Sequence, residues 1–123
     1  MAGKYPALGG VRFGWVTVNG QQLSRDLWVF ADGTWRERDR GLAENITGSN
    51  HLVPPAEVEL LLAGSPEVLV VGTGMYGSLT LTAEAGGLLE ERKVRAECLP
   101  SPEAVARFGE LTCPRALLLH VTC

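Results

Sequence analysis

Three groups of residues have the types and spacing for chemistry. The first is Gly72-Thr73-Gly74-Met75-Tyr76-Gly77, which follows the apolar run Val68-Leu69-Val70-Val71. Glycines after a buried strand let backbone amides approach an anion closely. With Glu97 about twenty residues on, the pattern G-x-G-x-x-G matches the dinucleotide fingerprint. The second group is the histidine pair His51 and His120, the side chains that ordinarily titrate near neutrality. The third is the thiols Cys98, Cys113 and Cys123, of which Cys98 lies at a strand end and is the better reactive candidate.

Each group has a plainer meaning. Residues 78–82 alternate as a strand, whereas the fingerprint requires a helix opening onto pyrophosphate. The helix that follows carries Gly86-Gly87, and 123 residues are few for two mononucleotide halves plus a catalytic domain. A tight loop on a buried strand is the favoured reading, with small-anion binding by its amides as the alternative. His120 sits near the end of the apolar strand 116–121 and reads as a hydrogen-bonded core histidine. A general base there needs a cleft and a partner that no motif identifies. His51, in a loop, reads as structural or capping. Two histidines and three scattered thiols make no recognisable zinc site, so neither metal nor cofactor is expected. No serine, histidine and carboxylate fall into a nucleophile motif, and no catalytic residue is assigned.

The elements that position these residues follow from periodicity. Residues 11–18 are rich in β formers and run into Asn19-Gly20, a strong hairpin signal. Strands at 26–30 and 35–38, joined by Asp32-Gly33, complete an antiparallel meander carrying Trp15, Trp28 and Trp35. Arg36, Arg38 and Arg40 alternate, which predicts a solvated strand face. Residues 39–53 read as a polar, irregular connection. Pro54-Pro55 opens a helix with Val58, Leu61 and Leu62 inward, Glu57 and Glu59 outward, and Gly64 at its end. After the central strand come a short extended segment at 78–82, a helix at 83–93 and a strand at 94–99. Next is a helix with Ser101 as N-cap, then the last strand. The second half is thus α-β-α-β-α-β and favours parallel strands with right-handed crossovers. Their carboxyl ends share one rim, where open α/β sheets bind ligands. Gly72, Thr73, Gly74, Tyr76, Gly77, His51 and His120 form the candidate ligand-binding set.

Composition bounds the rest. The chain is 46% apolar and 20% charged with net charge −3, which argues against disorder and gives nucleic acid or an anionic membrane no electrostatic attraction. One domain, 1–123, is expected. The first twenty residues lack a signal-peptide pattern, no run reaches the length of a membrane span, and three cysteines without CxxC spacing suit a reducing cytoplasm.

Val11-Arg12-Phe13-Gly14, the 48–51 loop, Val70 through Gly77 and the ending His120-Val121-Thr122-Cys123 together resemble a family of small uncharacterised α/β domains first known from archaea. Its eukaryotic relatives include an adipogenesis-associated protein and a mitochondrial complex I assembly factor. The resemblance implies a mixed central sheet with helices packed on it and no established reaction; its eukaryotic members act through protein partners. The expectation is a non-enzymatic domain acting through protein contacts or a small ligand at the Gly72–Gly77 rim. The alternative is a small enzyme or anion-binding protein using the glycine loop with His120 or Cys98. An exposed sheet edge adds the expectation of a weak homodimer.

Overall fold

The computed structural model describes residues 4–123. Ten strands and four helices follow in order among them: β1 (Leu8–Arg12), β2 (Trp15–Val18), β3 (Gln21–Leu23), β4 (Leu27–Val29), β5 (Trp35–Glu37), α1 (Arg40–Thr47), β6 (Leu52–Val53), α2 (Pro55–Leu61), β7 (Val68–Gly72), β8 (Thr80–Leu81), α3 (Ala83–Glu91), β9 (Arg95–Leu99), α4 (Ser101–Glu110) and β10 (Arg115–Leu119). The main sheet has the order β5-β4-β10-β7-β9. β10 and β9 both run parallel to β7, while β4 pairs antiparallel with β10 and β5 antiparallel with β4. The fold is therefore a mixed α/β sheet whose second half is parallel, and the carboxyl ends of β7, β9 and β10 do share a rim.

The two faces of this sheet are read directly from strand alternation. Val68, Val70, Leu117 and Leu119 point to one face, covered by Ala104 and Phe108 of α4 and by Val11, Val16 and Val18 of the β1–β3 sheet. Leu69, Val71, Ala116 and Leu118 point to the other, against Val58 and Leu61 of α2 and Ala85 and Leu89 of α3. Both β7 and the apolar part of β10 are buried throughout, as expected for strands covered on both sides.

The N-terminal part departs from the expected meander. Gly14, at φ +92°, turns the chain inside residues 11–18, so that stretch forms β1 and β2 instead of one strand. The Asn19-Gly20 turn, both residues at positive φ, joins β2 to β3. β1–β3 make a separate three-stranded antiparallel sheet, whereas β4 and β5 extend the main one. Trp15 is thus divided from Trp28 and Trp35. The 39–53 connection is not irregular either: Asp39 accepts from the Gly41 amide to cap α1, and Gly48 at φ +84° closes it. Ser101 does not cap α4. Pro100 holds that position, and the Ser101 side chain turns inward to the glycine loop.

Candidate functional site

The glycine loop is built as a clasp. β7 delivers Gly72 to the rim, where an added Cβ would lie 2.5 Å from Leu119 Cδ1 and 2.9 Å from Ser101 Oγ. A side chain there would have to push aside both Leu119 and Ser101 at the crossing of β7, β10 and α4. The following amides bond inside the chain: Thr73 to the Leu99 carbonyl, Gly74 to Ser101 Oγ, Met75 to the Thr122 carbonyl, and both Tyr76 and Ser78 to that of Cys123. The Ser101 hydroxyl donates in turn to the His120 carbonyl. Gly74 has φ +104°, and a Cβ there would stand 2.5 Å from the Cys123 carbonyl carbon and 2.8 Å from His120 Cδ2. Every amide from Thr73 to Ser78 except that of Gly77 is thus engaged, mostly by segment 122–123.

α3 begins at Ala83, six residues beyond Gly77, so the helix that the fingerprint places directly after the glycines is absent, and the N-terminus of α4, which does abut the loop, is bonded to Gly74 through Ser101. Glu97, the acidic partner of the fingerprint, pairs instead with Arg107 and Arg95 on the surface. These two displacements remove the geometry that dinucleotide binding requires.

Beneath the clasp lies a polar network that residue spacing alone did not reveal. Glu57 projects inward from α2 and is fully buried. Its carboxylate accepts from Arg38 Nε at 2.6 Å, Arg38 Nη2 at 3.0 Å and Trp28 Nε1 at 2.9 Å. Asp26, just before β4, accepts from Arg38 Nη1 at 3.1 Å, from Arg40 Nε and Nη2 at 3.0 and 2.9 Å, and from the Val121 amide at 2.9 Å. His120 Nδ1 lies 2.9 Å from the same carboxylate. The two carboxylates and two guanidiniums balance in charge. That balance is what allows charges to remain buried. Burial alone would raise the Asp26 pKa, but the hydrogen bonds from His120, Arg40 and the Val121 amide outweigh it and hold the group far below the usual carboxylate range.

The expected solvated arginine face is thereby corrected. Arg36 remains exposed over the Trp28 ring, Arg38 is buried and Arg40 is half-buried. Glu57 is corrected from the outer to the inner face of α2. A signal for it existed, because Glu57 stands four residues before Leu61 and shares that residue's helical stripe.

His120 is buried, with Thr122 Oγ1 3.1 Å from Nε2, and the His51 ring meets it edge to face at 5.2 Å. The clasp, His51 and His120 therefore form one contiguous cluster. Above it Tyr76 is 79% exposed and stands 6.1 Å from the ring of Phe13, itself 55% exposed. Beside the cluster a cleft of about 160 Å³ is lined by Gly14, Ser24, Arg25, Arg40 and Thr122, with Asp26 and Arg38 at its base. Cys98 is exposed as a residue, yet partial burial of its sulfur pushes the thiol pKa up, the wrong direction for a nucleophile. Among the described residues, no group of three or more His, Cys, Asp or Glu could hold a metal ion.

Comparison with known proteins places this geometry. The conserved hypothetical protein PH1505 from Pyrococcus horikoshii OT3 is 31% identical, superposes with a TM-score of 0.87, and aligns over 94% of this chain and 98% of its own. The protein MT938 is 29% identical with a TM-score of 0.81, over 96% and 99% of the two chains. A Mth938-like domain from Bordetella pertussis shares the fold at 17% identity and a TM-score of 0.66, over 98% of this chain and 89% of its own. No curated protein sequence matches the chain. The family model described as a protein of unknown function, DUF498/DUF598, matches residues 8–116. With that match and the shared fold, the chain belongs to the DUF498/DUF598 family.

Proposed function

We propose that this chain is a single cytoplasmic binding domain, non-enzymatic, that contacts protein partners through the rim around Gly72–Gly77. The observation that carries this reading is the exposed Phe13–Tyr76 pair standing on a clasp whose amides, Gly77 excepted, are already used. An exposed aromatic pair on a rigid support suits side-chain contact with a partner, because ordering two rings adds little entropy loss while burying much area. Thr73, Tyr76 and Gly77 supply the outer surface of the loop. Gly72, Gly74, His51 and His120 hold it from within.

The resemblance to eukaryotic relatives that act through protein partners supports the same reading. The three cysteines are unpaired, which suits a reducing compartment. No helix among the described residues is long and apolar enough to cross a membrane. The exposed edge strands β5 and β9 support weak self-association as well.

Affinity capture from the native cell under reducing conditions tests the contact surface. Wild type is compared with a Phe13→Ser, Tyr76→Ser double variant whose melting temperature is unchanged. The expected result is a set of partners recovered with wild type and lost with the variant. Equal recovery by both proteins, or turnover in an activity screen, would sink the proposal.

A further inference from the structure

Thr122 stands where the buried network meets the cleft. Its Oγ1 is 3.1 Å from His120 Nε2, and His120 Nδ1 is 2.9 Å from Asp26 Oδ2. The carboxylate can only accept, so Nδ1 carries a proton, and in the uncharged form of the ring Nε2 presents its lone pair to Thr122. In that form the hydroxyl donates to Nε2. Arg40 Nη2 donates to the same oxygen at 3.3 Å, setting a cation beside it.

A hydroxyl, an imidazole and an orienting carboxylate in hydrogen-bond sequence is the arrangement that activates Ser and Thr nucleophiles. Satisfying His120 Nε2 would need only a buried threonine. Thr122 is instead half-buried and lines the cleft together with Arg25 and Arg40. Sequence motifs could not show this constellation, because Asp26 and Thr122 are 96 residues apart (122 minus 26).

We propose that Thr122 is an acyl-accepting nucleophile, and that its donor is an acyl phosphate whose phosphate faces Arg25 and Arg40. Thr122 Oγ1 attacks the carbonyl carbon while its proton passes to His120 Nε2. An ester C–O bond forms, and the carbonyl carbon's bond to the bridging phosphate oxygen breaks. Phosphate leaves with that electron pair and takes the proton from His120. The products are an esterified Thr122 and inorganic phosphate. Asp26 is a positioning residue in this step: it fixes the tautomer and the ring and touches no substrate. The step is a single self-modification, so it stands independently of the partner contact proposed above.

The test incubates the purified full chain with acetyl phosphate and locates adducts by peptide mass spectrometry. One hydroxylamine-sensitive acetyl ester is expected on Thr122 in the folded protein. It should persist in Thr122→Ser, disappear in Thr122→Val, and form about a hundredfold or more slowly in a folded His120→Gln variant. Should His120→Gln not fold, the serine and valine variants carry the test, with urea-unfolded wild type as control. Label confined to amines, a phosphoryl adduct, equal labelling of Thr122 in urea, or no adduct would each overturn the proposal.

Discussion

Glu57 and Asp26 carry the two most consequential buried charges, and their surroundings predict opposite experiments. Removing the charge of Glu57 leaves Arg38, whose side chain is wholly buried, without its bidentate partner. Glu57→Gln should therefore destabilise by about 3 kcal/mol or more, read by urea unfolding. The Arg38→Met, Glu57→Leu double replacement should lose less, since no unpaired charge remains between them. A double variant as unstable as the single one would contradict this account. For Asp26 the folded pKa lies below the unfolded value of about 4, so the folded state binds fewer protons there. Its contribution is fully present above that unfolded value and is lost as pH falls through the folded one. Stability should thus decline on acidification below about pH 4, and more steeply in wild type than in Asp26→Asn. Parallel slopes in the two proteins would assign the acid limb to other groups.

At the scale of elements, α3 is held by packing in spite of its composition. Ala85 and Leu89 are buried against the sheet, while Gly86 and Gly87 face open space with nothing within 4 Å of an added Cβ. Gly86→Ala or Gly87→Ala should each stabilise the protein by about 1 kcal/mol, raising its melting temperature. A fall would mean that the helix needs those glycines. This element was legible as a helix over 83–93, and β7, β10 and the shared rim were legible because long apolar runs force burial. α1 was not legible as a helix: Gly41, Asn45 and Thr47 are weak helix formers, and its caps, Asp39 and Gly48, are short signals. The meander failed at Gly14, which turns the chain back so that β1 pairs with β2, and again between β3 and β4, where the chain passes to a different sheet. Of the site, the glycine loop and His120 could be singled out from the sequence. The Asp26–Arg38–Glu57 network could not, because alternating charge looks the same on a solvated face and in a compensated core.

The molecule as a whole has two open strand edges in its main sheet, β5 and β9, both largely exposed. Weak dimerisation through such an edge should appear as a sedimentation coefficient that rises with concentration into the high micromolar range. A constant monomer value would exclude it. The order of strands has a different consequence, in time instead of space. β10, the middle strand, follows every other strand in the sequence, and it is the one that joins β4 to β7. During synthesis the β4–β5 hairpin therefore leaves the ribosome long before the strand it must pair with. At about 5–20 residues per second, the interval between β4 and β10 is on the order of ten seconds. Throughout it, Trp28 and the apolar strand β7 lack their common neighbour, and Asp26 lacks His120. The nascent chain is two unjoined half-sheets until β10 emerges, when a single strand and the residues that follow it close the core, the charge network and the clasp together.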